Sequence, residues 1–306
     1  MQHVRSLEDV SLQKSWLTIG VFDGVHRGHQ EIIQQLAAGA HANRASAVVL
    51  TFYPHPGVIL GKRSNLKYLS LPDEKADLLH KCGGDMVITH PFNADIAALS
   101  AKEFIERLQN HLQFEKLLIG YDFALGRNRE GDAEHLRQLG EEFGYSVQTF
   151  APVRADGDVV SSSRIRENLA VGDVESAAQS LNHFYSLQGS VIHGDGRGRK
   201  INIPTANIEV PLEKAVPTNG VYACWAWVGE TKYPAVTNIG IRPTFTPNKE
   251  LPNVETHLLD FSGGLYDKRI RLEFVSHLRD EKKFISVDAL LTQIQVDITR
   301  AREALF

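Results

Sequence analysis

The chain has 306 residues, enough for two domains of ordinary size, and its 42% hydrophobic and 23% charged residues are normal for a soluble globular protein. A net charge of -4 and a pI near 6.4 give no reason to expect nucleic acid as a partner, and no apolar run is long enough to span a bilayer. Cys82 and Cys224 lie too far apart in sequence to suggest a disulfide framework or a zinc ribbon. The opening MQHVRSLEDV lacks an apolar leader, so the cytoplasm is the expected compartment.

Residues 17–22 form a short apolar run of strand length, which Asp23, Gly24 and Gly28 interrupt. From Gln30 onward Ile32, Ile33 and Leu36 fall on one helical face. The pattern predicts strand, glycine loop and helix, with His26 and His29 at the junction, three residues apart and facing one way. Backbone N–H groups at a helix start favour an anion, so the pair suits a nucleotide phosphate. An ordinary surface loop is the plainer reading, and a zinc pair lacks a Cys or Glu at ligand spacing.

A second strand spans 47–52 and ends in Tyr53-Pro54-His55-Pro56. That places a rigid segment at a strand's C-terminal end, where open α/β sheets bind ligands, although a stiff connection explains the prolines equally well. A helix is predicted over 66–80 with Pro72 near its start, then a strand over 86–88, a helix over 101–112 and a strand over 116–120. The following loop, YDFALGRNREGD, has a composition that suits binding. A helix over 136–143 and a strand over 146–150 complete an alternation that implies a parallel sheet with helices on both faces. Ser161, Ser162 and Ser163 then precede a helical segment as N-cap residues would. Arg164 and Arg166 add positive charge near the same helix start, which capping leaves unexplained and a polyphosphate would use.

Residues 169–181 read as one helix, after which strands dominate, and the domain boundary is placed near Phe184, dividing 1–184 from 185–306. A strand over 188–191 runs into HGDGRGRK, a glycine–arginine loop that either cradles phosphates or forms a mobile hairpin. It is no Walker loop, since GK[ST] is missing. In Pro204-Thr205-Ala206-Asn207, Thr205 and Asn207 point to one face of an extended segment and offer the hard oxygen donors that Mg²⁺ takes, though a plain turn accounts for the four letters too. Gly220-Val221-Tyr222 opens VYACWAWV, whose alternation suits a barrel wall. Glu255 lies in a half-buried strand, where a glutamate is uncommon, or else on its surface side, where it is not. A strand over 268–278 and a helix over 287–305 close the sequence.

GVFDGVHRGHQ resembles the HxGH signature of the nucleotidylyl transferase superfamily in the variant of bacterial FAD synthetases, and PTAN resembles the signature of riboflavin kinases. Further segments are similar in the same order: the loop after residue 120, the serine–arginine segment, and AVTNIGIRPTF. The chain is thereby identified as resembling the bacterial bifunctional FAD synthetases. That implies an α/β fold: a Rossmann-like nucleotidylyl transferase domain with a parallel sheet, then an antiparallel β-barrel riboflavin kinase domain with a terminal helix. The implied activities are phosphorylation of riboflavin to FMN by MgATP, and transfer of AMP from ATP to FMN with release of pyrophosphate.

By the same resemblance His26 and His29 stabilise the ATP α-phosphate, with Gly20, Phe22, Asp23 and Gly28 shaping the pocket. Pro54, His55, Pro56, Asp122 and Phe123 lie beside flavin and nucleotide, and Ser162, Ser163 and Arg166 hold the departing pyrophosphate. In the second half Gly194, Gly196, Arg197, Gly198, Arg199, Tyr222, Asn238 and Arg242 surround ATP and flavin. Thr205 and Asn207 ligate Mg²⁺, and Glu255 is the base for the flavin's 5′-hydroxyl. Partners would be small molecules alone, with no membrane or nucleic acid. Leu125 departs from an aromatic that is usual in the family, and residues 264–267 (GLYD) depart from DLYG. An enzyme with one surviving activity, and a flavin-responsive regulator without turnover, are the competing readings. A class I tRNA synthetase would need a tRNA-binding region that the near-neutral pI does not support.

Overall fold

Side-chain alternation explains how the first half folds in the computed structural model, which describes residues 2–155, 157–194, 203–242 and 251–306. Strands β1 (Gln2–Val4), β2 (Ser15–Ile19), β3 (Ser46–Tyr53), β4 (Met86–Pro91), β5 (Phe114–Gly120) and β6 (Ser146–Phe150) pair in the order β1-β4-β3-β2-β5-β6. Every pairing is parallel. The helices are α1 (Arg27–Ala42), α2 (Pro56–Ile59), α3 (Pro72–Lys81), α4 (Ala94–Ala98), α5 (Ala101–Leu112) and α6 (Ala133–Phe143). Leu17, Ile19, Val48, Leu50, Leu117 and Ile119 face one core with α5 and α6. Ala47, Val49, Val87 and Leu118, one residue out of phase, face the other with α1 and α3. The parallel sheet is thus covered on both faces, as such sheets are. A two-residue hairpin, β7 (Arg154–Ala155) with β8 (Asp158–Val159), follows.

Chain contacts divide the molecule into two units, Met1–Ser162 and Ser163–Phe306. Helix α7 (Ser162–Ala170) is followed by α8 (Val174–Leu181), which lies against the barrel of the second unit. The barrel strands are β9 (Tyr185–Ile192), β10 (Ala206–Glu209), β11 (Gly220–Val228), β12 (Thr231–Arg242), β13 (Leu251–Leu258) and β14 (Arg269–Arg279). They close in the order β10-β13-β12-β11-β14-β9, and every pairing is antiparallel. Leu187, Cys224, Ala226, Thr237, Thr256, Leu272 and Phe274 fill the interior. Helix α9 (Val287–Leu305) packs on β11, β12 and β14, anchored where Asp297 receives Arg279 Nε at 3.0 Å and Nη2 at 2.7 Å.

Three expected elements differ from those observed. β2 stops at Ile19 and not at residue 22, because Phe22 (φ 49°) and Val25 (φ 45°) take left-handed backbone that no strand admits. The helix expected from residue 66 begins at Pro72, because the N–H groups of Leu69 and Ser70 are held by Asp23. The single helix expected over 169–181 is two: Gly172 turns at φ 83°, and Asp173 caps α8 by accepting from Ser176 N–H at 2.9 Å. The contact division also falls ahead of residue 184, and Thr218 N–H donates to Leu169 O at 2.9 Å within the second unit.

Candidate functional sites

In the parallel sheet β2 lies centrally, with β3 and β4 wound to one side and β5 and β6 to the other. The loops after β2 and β5 therefore flank the point where strand order reverses, the usual ligand crevice of such sheets. Residues 20–26 leave β2 and return as α1, with His26 as the N-cap residue in extended backbone. His26 and His29 stack with ring centroids 3.6 Å apart, and Phe22 meets His29 edge-on at 5.1 Å. A Cβ on Gly20 would lie 2.8 Å from the Phe22 ring, so any other residue there would push that ring aside. Gly28 lies beside the His26 ring.

The Nδ1 atoms of both histidines are buried without a protein partner among the described residues. Burial pushes the His26 imidazole down to about 4 against the pull of Asp23. Burial first, then His26 and Lys75, push His29 well below its ordinary range. Both rings are therefore neutral near pH 7, each able to offer one N–H to an incoming anion.

Asp23 is 2% exposed and turns inward. Its carboxylate accepts from Leu69 N–H at 3.0 Å and Ser70 N–H at 3.0 Å, while Ser70 Oγ accepts from Gly24 N–H at 2.9 Å. It shapes the loop from behind. Ser162 does more than start α7: its hydroxyl donates to Asp23 O at 2.9 Å, tying the serine segment to the histidine loop. Ser163 and Arg166 follow on α7 in the second unit, exposed and half-buried. At the end of β3, His55 Nδ1 accepts from Gly57 N–H at 2.8 Å, fixing the turn of Pro54 and Pro56, and Tyr68 Oη accepts from His55 N–H at 2.9 Å.

In the loop after β5, Asp122 is exposed and Phe123 packs against the core. Leu125, the departure from the family pattern, is buried in that core, and its backbone pairs with Gly131 at 3.1 and 2.9 Å. The leucine is thus a packing residue.

Sequence reasoning missed Lys75 and Thr51. Lys75 on α3 is 2% exposed, and its Nζ donates to Val21 O at 2.9 Å and Thr51 Oγ1 at 3.1 Å. Its signal was faint but present: a lysine four residues before Leu79, on the face that α3 buries.

On the barrel, strand register sets Asn207 opposite Glu255 and Glu255 opposite Asn238. The three half-buried side chains form one row on the outer face, since the interior belongs to Ala206, Thr256 and Thr237. Asn253 Nδ2 donates to Glu255 Oε1 at 2.8 Å, and Asn238 Nδ2 donates to Glu281 Oε1 at 3.4 Å, so Glu281 joins a site in which sequence reasoning had not placed it. Gly194 abuts the Asn207 amide so closely that any Cβ would collide with it. Thr205 is exposed two residues before Asn207.

Tyr222 is fully buried in the barrel wall and donates its hydroxyl to Thr218 O at 2.6 Å. Gly196, Arg197, Gly198 and Arg199 lie outside the described residues, as does the side chain of Arg242. In the GLYD segment Asp267 occupies φ 62°, where DLYG has glycine, and Tyr266 stacks on His193 at 4.0 Å. Aspartate is among the few residues that tolerate that backbone.

A parallel sheet with a buried histidine pair at its switch point, joined to a closed barrel with an Asn–Glu–Asn row, defines a two-domain protein of the nucleotidylyl transferase class with a second polar site. Comparison with known proteins narrows this. Residues 8–164 match the family described as FAD synthetase, and residues 181–305 the family described as riboflavin kinase. A bifunctional riboflavin kinase/FMN adenylyltransferase of Pseudomonas fluorescens is 36% identical over 305 residues, covering 99% of this chain and 97% of that protein. Its namesake in Bacillus subtilis (strain 168) is 36% identical over 288 residues, covering 93% and 90%. A crystal structure from Streptococcus pneumoniae, titled a macrolide-efflux protein, matches with TM-score 0.89 and 27% identity over 98% of both chains. Among the described residues no helix is long and apolar enough to cross a membrane. The chain belongs to the family of bifunctional riboflavin kinase/FMN adenylyltransferases.

Proposed function

We propose that the chain makes FAD from riboflavin in two steps at two sites. The barrel phosphorylates riboflavin to FMN with MgATP, and the parallel-sheet domain transfers AMP from ATP to FMN, releasing pyrophosphate. The observation that carries the second step is the stacked His26–His29 pair with unpartnered buried Nδ1 atoms at the mouth of the sheet. As FMN's phosphate oxygen attacks the α-phosphorus, negative charge grows on the α-phosphate oxygens. Two pre-set neutral N–H donors stabilise that charge without reorganising. Ser162, Ser163 and Arg166 receive the β- and γ-phosphates, so we place the functional boundary at residues 184 and 185, with α7 serving the transferase. Gly20, Phe22, Asp23 and Gly28 hold the loop, and Pro54, His55, Pro56, Asp122 and Phe123 line flavin and nucleotide.

For the kinase step, Glu255 takes the proton of the flavin's 5′-hydroxyl as the γ-phosphoryl moves. Asn238, Arg242 and the glycine–arginine loop position the substrates. Thr205 and Asn207 would hold Mg²⁺. They fit it chemically, because both offer oxygen and because Gly194 leaves space at the Asn207 amide that a side chain would fill. Mg²⁺ would neutralise charge on ATP's phosphates. Cytoplasmic location belongs to the same proposal, with Cys82 and Cys224 both free thiols. The test is product analysis of purified protein with riboflavin, ATP and Mg²⁺. FMN should appear first and FAD with pyrophosphate after it; FMN alone or FAD-binding without turnover would overturn the bifunctional reading.

A further inference from the structure

Among the described residues Lys75 is the one lysine of the first unit that is buried with its ammonium directed at the histidine loop. Val21 O, one residue before the left-handed Phe22, accepts from Lys75 Nζ at 2.9 Å and from Thr51 Oγ1 at 2.9 Å. Both lone pairs of that carbonyl are thereby used. Phe22 then turns its ring onto His29, and His29 stacks on His26. Resting on the adenylyl-transfer reading above, we propose that Lys75 is a positioning residue of that site, its ammonium fixing the Val21 carbonyl and so the histidine pair while lending positive charge to the phosphate-binding loop.

A merely structural spacer could be uncharged and solvent-shielded by apolar neighbours. Lys75 instead has two hydrogen-bond acceptors and a buried carboxylate, Asp23, in the same loop, which holds its proton on. Among the described residues the titratable groups that act on it, or on which it acts, are Asp23 from the loop and His29 from α1. Burial outweighs Asp23 and pushes the ammonium down to about 8. The sign follows: as pH rises through about 8 the free enzyme loses this charge, and the bonds to Val21 O and Thr51 Oγ1 lose their charge assistance.

The experiment follows kcat/KM for FAD formation from FMN and ATP between pH 6.5 and 10, with riboflavin phosphorylation by the same full-length protein as the control. For the wild type the transfer profile should fall on its alkaline side near pH 8. Lys75→Met should lose that limb and run on the order of 10-fold slower at pH 7, while phosphorylating riboflavin normally. Lys75→Arg should keep the charge and push the limb to higher pH. A wild-type profile flat through pH 9.5 overturns the inference without any variant, as does a folded Lys75→Met protein with wild-type rate and profile. Absence of FAD from the wild type at every pH would instead remove the function proposed for the site.

Discussion

His26 and His29 carry the site through what surrounds them, since their spacing alone fits a surface loop as well. Stacking at 3.6 Å and burial make a doubly protonated pair costly, so the rings wait as neutral donors. His29→Ala should therefore lower kcat for adenylyl transfer on the order of 10²-fold, the usual loss for one transition-state donor, and leave riboflavin phosphorylation unchanged. Normal transfer kcat with a lowered melting temperature would make His29 structural. The same burial couples the fold to pH. An unfolded His26 takes its proton near pH 6.5, whereas the folded one resists it until about pH 4. Stability is thus fully present above pH 6.5 and falls as pH drops toward 4, by about 3 kcal/mol for His26. Denaturant titrations should show a flatter dependence in His26→Gln than in the wild type; parallel curves would contradict the assignment. The histidines were legible because two ring residues beside glycines stand out. Lys75 left only a faint signal, because a charged residue on a helix reads as solvated unless its long-range partners, here Val21 and Thr51, are known.

At the scale of elements, magnitude separates two ion pairs on α9. Asp297 is 2% exposed and bonds the Arg279 guanidinium at two nitrogens, with Gln293 Nε2 also donating at 2.8 Å. Arg302 pairs with Asp260 at 2.7 Å, but both side chains are exposed. Asp297→Ala leaves a largely buried guanidinium uncompensated and should cost about 3–5 kcal/mol. Arg302→Ala removes a solvent-screened pair and should lower stability far less than Asp297→Ala. Thermal denaturation followed by barrel tryptophans Trp225 and Trp227 checks the contrast, and equal losses would contradict it. Helix α9 itself was readable from Ile294 and Ile298 on one face, and its observed bounds match the expected 287–305. The charged anchor was not readable, because Arg279 lies on β14 and meets Asp297 only through the packing of helix on barrel. Where elements were misjudged, loop geometry prevailed over apolar pattern: Val21 and Phe22 look like strand, yet the loop needs them in a turn.

Across the whole molecule the fold class was legible because the two halves carry different periods, alternating strand and helix first and short alternating strands later. The parallel sheet and the closed barrel bear that out. What the period could not convey was the pairing order of the strands, and so the meeting of Asn207, Glu255 and Asn238 across three of them. That meeting makes a prediction about the division of labour. Glu255 belongs to the barrel, and its carboxylate accepts from Asn253 Nδ2 two residues away. The histidine loop belongs wholly to the other unit. Glu255→Ala should therefore abolish FMN formation from riboflavin yet leave FAD formation from supplied FMN within about twofold of wild type, a difference of about 0.4 kcal/mol in the barrier. The full-length variant would be given riboflavin and FMN in separate reactions, each with ATP and Mg²⁺, and the flavins resolved by chromatography. Loss of both activities in a protein whose melting transitions are unchanged would mean that the two sites are one functional unit. Retention of both would remove Glu255 from the chemistry and return the role of base to another carboxylate on that face, of which Glu281, bonded to Asn238, is the neighbour already in place.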